Sequence, residues 1–252
     1  AGGSRSSYPT GERAGNNQRA ATPGLPQRRE RSASCPDANP NPREQQPMII
    51  GLAGFKRTGK DTFARYFPSN FTRMAFAEPL KQVAAIIYDV SPEAFSDDLK
   101  DATNEKWGIT HRDMLINVGQ KMREIDPDHW VRLMKMRIMS DFQRYRQLSI
   151  TDQHILITDV RQPNELQMIE HLGGAVYLVQ RKGVVWNGHP TEKMATQLEH
   201  FAGRIENLLP LGCTDPEMLR KSAEHFRKAS YELISYEMER QHAPTSTTEP
   251  SR

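Results

Sequence analysis

Cysteine is nearly missing from this chain, with two in 252 residues, Cys35 and Cys213. A pair so far apart supplies neither a disulfide framework nor the close spacing of a zinc site. Long apolar runs are missing too. None approaches the ~18 residues of a membrane-spanning helix. Histidine and carboxylate do not gather at ligand spacing. His189 and Glu192 share one polar loop, but one of each makes too thin a metal site, and a hinge or lid is the reading for that loop. A surplus of charge is likewise absent from most of the chain. The net charge of +3 is carried whole by residues 1–47, which hold seven arginines and four acids. The remainder holds 27 basic and 27 acidic side chains. A neutral body lacks the footprint of a nucleic-acid-binding domain. No strong nucleic-acid partner and no membrane partner are therefore expected, and a reducing, cytoplasmic compartment is.

Residues 1–47 have only Tyr8 and Leu25 as large apolar side chains and are rich in Pro, Gly, Ser, Asn and Gln. Such a segment cannot bury enough surface to offset its ordering entropy. It is expected to be a disordered basic extension, without the apolar stretch of a secretion signal. Residues 243–252, "APTSTTEPSR", are expected to be a disordered tail. Residues 48–242 between them are enough for one α/β domain with a real core.

The apolar run at 48–53 predicts a buried strand, and 71–77 a second one. Helix is expected from Lys60, over 80–88, in a short piece after Ser91-Pro92, and from Thr110 to about Glu124. Asp126-Pro127 opens a longer helix whose apolar face is Trp130 or Val131, Met134, Ile138 and Phe142. Residues 99–108 are charged and read as loop. "HILITDV" (154–160) is a strong buried strand, followed by helix over 162–172, which Gly173-Gly174 ends. Strands follow at 175–181 and, more weakly, at 203–209. Thr214, Pro216 and Glu217 form a capping-box start for a last helix to about Glu239. Strands alternating with helices imply a mainly parallel five-stranded sheet covered on both faces, a three-layer α/β fold. Right-handed crossovers then collect the strand C-termini, and the site, on one edge. A helical insertion is expected over about 78–150 and a lid-like loop over about 182–200.

Two constellations carry chemistry. The first is "GFKRTGKDT", residues 54–62. Gly54, Gly59 and Lys60 fit the phosphate-loop spacing G-x-x-x-x-G-K-[ST], but Asp61 stands where Ser or Thr is usual and Thr62 comes one place late. Glycines let the backbone curl so that consecutive N–H groups point inward, and the helix start behind them favours an anion. Lys60 supplies a point charge for phosphate. Lys56 and Arg57 at the tip would be poorly placed without anionic partners. Thr62 can offer a hydroxyl to phosphate or to a water on Mg²⁺. Asp61 could cap the helix, orient Lys60 or hold metal-bound water, and spacing does not decide between them. The second constellation is "ILITDVRQPNE". An apolar strand ending in Asp159 has the shape of a Walker-B segment. Arg161, Gln162 and Glu165 follow it, able to read phosphate, sugar and base edges together. Lys81, Arg112 and Arg181, each near an element end, add cations of the kind phosphoryl transfer gathers.

Taken in order with "FAEPLK", "VGQKMREIDPDHW" and "HPTE", these motifs resemble the bacteriophage-type deoxynucleoside monophosphate kinases over about residues 48–226. Within that family an aspartate after the loop lysine is expected. The resemblance implies a nucleoside-monophosphate-kinase-like phosphate-loop fold and transfer of the ATP γ-phosphate to a (deoxy)nucleoside monophosphate, with Mg²⁺ held through ATP and water. It places ATP at Gly54, Arg57, Gly59, Lys60, Asp61 and Thr62. It brings Lys56, Leu80, Lys81, Arg112, Gly119 and Trp130 toward the monophosphate, with Asp159, Arg161, Gln162 and Glu165 completing the nucleotide wall. Lys60, Arg57 and Arg181 would be the catalytic charges, Arg181 reaching in from the lid's rim. Small-molecule substrates, a homodimer and, for a phage-encoded chain, the host cytoplasm are what the family implies. Gln120-Lys121 depart from the Thr and acid that members often carry after Gly119. Two other classes share the first motif: kinases of dephospho-coenzyme A or phosphomevalonate, and non-catalytic nucleotide-binding proteins.

Overall fold

A computed structural model describes residues 47–185, 195–196 and 201–243. The expectations for residues 1–46, for most of the 182–200 loop with His189 and Glu192, and for residues beyond Ala243 lie outside the described residues.

Five β-rich runs form one sheet: β1 (Ile49–Ala53), β2 (Phe71–Met74), β5 (His154–Val160), β6 (Ala175–Arg181) and β7 (Gly203–Asn207). They lie in the order β2-β5-β1-β6-β7, and every neighbouring pair is parallel. β1 is thus the central strand, and the loop after it opens at the sheet's carboxyl edge. Side chains alternate along each strand. Ile49, Ala53, Ile155, Ile157, Val176 and Leu178 pack on one face against Trp130, Met134 and Ile138 of α4 (His129–Gln147) and Leu166 and Ile169 of α5 (Pro163–His171). Ile50, Leu52, Leu156, Tyr177 and Val179 pack on the other against Phe63 of α1 (Lys60–Ala64) and Phe226, Leu233 and Ile234 of α6 (Pro216–His242). The expected three layers are therefore present, each sheet face covered by helix.

A third, smaller core lies between α2 (Ala77–Tyr88) and α3 (His111–Ile125), where Ala84, Ala85, Met114 and Val118 close around Phe95. α3 starts with a capping box in which Thr110 and Asp113 satisfy each other's backbone N–H. Two details differ from expectation. Residues 99–108 are not wholly loop, because β3 (Thr103–Asn104) pairs antiparallel with β4 (Ile109–Thr110). The cap of α6 is Asp215 rather than Thr214, its carboxylate accepting from Glu217 N and Met218 N.

One irregularity positions the site. Ile49, Ile50 and Gly51 of β1 pair in step with Ile155, Leu156 and Ile157, but Ala53 pairs with Val160. By strict alternation Asp159 would share the apolar face of Ile155 and Ile157. The one-residue slip seats Val160 there instead, so Asp159 is released from the core face, as extra residues in strands do beside functional sites.

Candidate active site

The loop 54–62 leaves β1 with three residues at positive φ: Gly54 at 142°, Arg57 at 70° and Gly59 at 98°. Thr58, buried beneath the loop, donates to Phe55 O from its hydroxyl (3.0 Å) and more weakly from its N–H (3.4 Å). Glycine is required where the backbone passes close to its neighbours. A Cβ on Gly54 would sit 2.4 Å from the Val179 carbonyl oxygen, and one on Gly59 would sit 2.5 Å from Asn207 Nδ2. Lys60 Nζ curls back to donate to Gly54 O (2.7 Å) and Phe55 O (2.8 Å), which places its ammonium over the loop. Gly59 is the N-cap of α1 and offers no side chain to the first helical N–H groups, the groups an oxyanion satisfies at a helix start. Asp61 and Thr62 are exposed in the first turn.

Two polar side chains brace this loop from behind. Asn207, buried at the end of β7, donates from Nδ2 to Thr58 O (2.9 Å) and accepts at Oδ1 from Leu209 N (3.0 Å) and Ser222 Oγ (3.2 Å). Arg181, at the end of β6, donates from Nη1 to Arg57 O (3.1 Å), from Nε to Leu209 O (2.5 Å) and from Nη2 to Pro210 O (2.9 Å). The expectation put the Arg181 guanidinium on phosphate. Here all three of its nitrogens hold backbone carbonyls, and it reaches the loop through the main chain.

The end of β5 and the first turn of α5 supply one carboxylate each. Asp159 accepts from Phe76 N (2.7 Å) and Ala77 N (2.9 Å), capping α2 from 83 residues away. Burial pushes its carboxyl above the usual range, while those two N–H groups, Arg161 and Lys60 pull it down. Glu165 is buried and accepts at Oε2 from Arg161 N (2.7 Å) and Gln162 N (3.0 Å), with Arg123 Nη2 3.9 Å from Oε1. It fixes the Arg161-Gln162 turn, and Arg161 itself is exposed. Burial, and then the Asp159 charge, push Glu165 up to about 7 against an ordinary value of 4.5. Between those values the folded chain holds a proton that the unfolded chain has lost. That contribution is complete below about pH 4.5 and is lost as pH rises through about 7. Urea midpoints of the wild type should therefore fall over that window. Glu165→Gln keeps an amide oxygen for the two N–H groups and should remove a slope worth about 3 kcal/mol, leaving the Asp159 share. An unchanged slope in the variant would contradict this assignment.

Beside the loop lies a cationic group that Lys56 of the loop joins. Arg112 Nε donates to Asp101 Oδ1 (2.6 Å), and Lys56 Nζ stands 3.9 Å from Asp101 Oδ2. Lys81 and Lys100 are close enough to join their field. Gly119 is buried. A Cβ there would meet Leu80 Cδ2 at 3.3 Å and Arg123 Nη1 at 3.4 Å. Trp130 is 3 % exposed, and its indole N–H donates to Gly119 O (3.3 Å). Its ring belongs to the core. Among the described residues, no three of His, Cys, Asp and Glu are placed to hold a metal ion, and no helix is long and apolar enough to cross a membrane.

The structure thus brings the two sequence constellations to one edge, with Lys56 of the loop reaching toward Asp101 and its partner Arg112. Sequence reasoning missed Asn207, Lys100 and Asp101. A buried Asn at the end of a strand was the one available cue to the first.

Comparison with known proteins extends this. No protein-family model matches the chain. Two solved structures overlay with low scores: TT1252 from Thermus thermophilus (16 % identity, TM-score 0.36, covering 75 % of this chain and 99 % of the other) and the dephospho-CoA kinase from Campylobacter jejuni (11 %, TM-score 0.39, covering 76 % and 97 %). A protein of Acanthamoeba polyphaga mimivirus, provisionally named a deoxynucleotide monophosphate kinase, is 32 % identical over 155 residues. That match covers 58 % of this chain and 80 % of the mimivirus protein. With the phosphate loop, its lysine and the carboxylates of Asp159 and Glu165 in place, the chain belongs to the deoxynucleotide monophosphate kinase family.

Proposed function

We propose that this kinase transfers the γ-phosphoryl group of ATP to a deoxynucleoside monophosphate, giving ADP and a deoxynucleoside diphosphate. The observation that carries the reading is the placement of the loop 54–62. It holds Lys60 over its own carbonyls and turns Lys56 toward Arg112 and Asp101 on the far side. This supports a reading with a donor phosphate and an acceptor phosphate at one loop, as in-line transfer between two phosphates requires.

An oxygen of the acceptor phosphate attacks the γ-phosphorus, and the bond to the β–γ bridging oxygen breaks. The acceptor is already ionised near neutral pH, so no side chain needs to take a proton. Lys60 and the exposed Arg57 offset charge on the transferring group. Arg181 is a positioning residue that fixes the Arg57 carbonyl. Arg161, presented by the Glu165-held turn, reads the acceptor with Gln162. Asp61 and Thr62 are exposed oxygen donors of the type Mg²⁺ takes, and they fit an ion held mainly by phosphates. When bound, that ion supplies charge neutralisation on the β- and γ-phosphates.

An acceptor panel in a coupled ADP-release assay tests the reading: dTMP, dGMP, dCMP, dAMP, their ribo forms, dephospho-coenzyme A and phosphomevalonate. ADP release with at least one deoxynucleoside monophosphate, at about 1–100 s⁻¹, is expected. Release with dephospho-coenzyme A or phosphomevalonate alone would overturn it, as would ATP binding without release. In the same assay Arg161→Ala should raise KM for the monophosphate about tenfold or more, the scale of one charged hydrogen bond, with KM for ATP nearly unchanged. Equal rises in both would remove Arg161 from the acceptor side.

A further inference from the structure

Gly119 sits inside α3, where glycine weakens a helix relative to alanine. Its surroundings show what the missing side chain leaves room for. A Cβ there would meet Leu80 Cδ2 at 3.3 Å and Arg123 Nη1 at 3.4 Å. Arg123 follows one helical turn later, and its side chain lies back over Gly119 along the same face. From there the guanidinium faces Glu165 of α5, with Nη2 3.9 Å from Oε1. The Arg123 side chain is 33 % exposed, and that of Glu165 is 3 % exposed. Glu165 gives its other oxygen, Oε2, to the N–H groups of Arg161 and Gln162. Its two oxygens are thus divided: one holds the turn, and the other faces Arg123. Among the described residues the Arg123 side chain has no other ionic partner and donates no hydrogen bond.

A buried carboxylate without a countercharge takes up a proton and neutralises. Here burial, and then the Asp159 charge, favour the proton, while the two N–H groups and Arg123 oppose it. An ionised carboxylate holds N–H groups more strongly than a neutral acceptor does. Arg123 therefore strengthens a grip in which it takes no hydrogen bond itself. A second tie runs beside it. Asn164 Nδ2 donates to Asp128 Oδ1 (2.8 Å) and Pro127 O (3.2 Å), fixing the corner between α3 and α4 to the first turn of α5.

We infer that Arg123 is a positioning residue of the acceptor wall: it lies over Gly119, stands as countercharge to Glu165, and through that carboxylate fixes the turn that presents Arg161 and Gln162. The inference rests on the acceptor reading above and deepens it. It also gives Gly119 a physical task, which is to leave the space in which Arg123 lies.

Steady-state kinetics with the best monophosphate of the acceptor panel test this. Arg123→Met should raise KM for the monophosphate about three- to tenfold, between the scales of an exposed and a buried ion pair. KM for ATP should be nearly unchanged, and kcat should change less than KM. Arg123→Gln, also neutral, should move the same way. Arg123→Lys keeps a charge at a contact that is single and long, so it should stay within about twofold of wild type. In a Glu165→Gln background Arg123→Met should add less than about twofold, because the charge it acts on is gone. Melting curves of each variant confirm that folded protein is being compared. Unchanged KM in both neutral variants, an equal rise for ATP, or a Lys variant no better than Met would overturn the inference. So would a full further loss in the Glu165→Gln background, which would put Arg123 on the acceptor itself. If no monophosphate accepts a phosphoryl group, the functional reading falls, and amide exchange of Arg161 and Gln162 in the free protein then decides the positioning role alone. Faster exchange in Arg123→Met than in wild type, restored in Arg123→Lys, supports it, and equal exchange overturns it.

Discussion

Lys60→Met should lower turnover by about 10²–10³-fold, the scale of losing one preorganised charge contact to a transferring group. The structure separates this loss from unfolding. Methionine keeps most of the apolar stem and removes only the ammonium, with its bonds to Gly54 O and Phe55 O. Each such bond contributes about 1 kcal/mol net. The loop retains its other ties: Thr58 on Phe55 O, Asn207 on Thr58 O and Arg181 on Arg57 O. Steady-state kinetics beside a melting curve should show turnover collapsing in a protein that still folds. Near-normal turnover would remove Lys60 from the chemistry.

Gly54→Ala should be the most destabilising single methyl added to the described fold. At φ 142° an L-residue is strained, and the new Cβ would sit 2.4 Å from the Val179 carbonyl oxygen. That oxygen belongs to β6, which is bound by parallel pairing on both sides, so the backbone cannot step aside. Strain at the backbone and overpacking each cost about 1–3 kcal/mol, a large part of an ordinary domain's total of about 5–15 kcal/mol. Gly108→Ala is the control. It too has positive φ, 64°, but nothing lies within 4 Å of its Cβ position, so it should cost about 1 kcal/mol. Urea unfolding of the two variants compares them directly. Equal costs would refute the steric argument at Gly54.

The sheet was legible because buried strands declare themselves as apolar runs, and the phosphate loop because its glycine spacing is demanded by backbone geometry. Gly54 and Asp159 stand at strand ends, as expected, and Gly59 and Lys60 at the start of α1. What sequence could not show was partnership across distance. Nothing local to Asp159 says that it caps a helix beginning 82 residues earlier. Arg181 has the composition of a phosphate ligand, and only three-dimensional placement gives its nitrogens to carbonyls. Trp130 on a helical stripe was readable as core or as ligand contact, and its burial decides for the core. The hairpin of β3 and β4 is too short for any periodicity to reveal. Lys100 and Asp101 were hidden in a charged run because their relation to Lys56 exists only after α3 has docked beside α2.

The Asn207 contact also orders events during synthesis. Chains emerge from the ribosome amino end first, and the loop 54–62 is among the earliest parts of the described fold to appear. Its brace lies 149 residues later, and Asn207 is itself bonded to Ser222 on the last helix. A nascent chain lacking that helix has the glycines and Lys60 but not the carbonyl anchor beneath them. The brace beneath the loop therefore forms only once nearly the whole domain has left the exit tunnel.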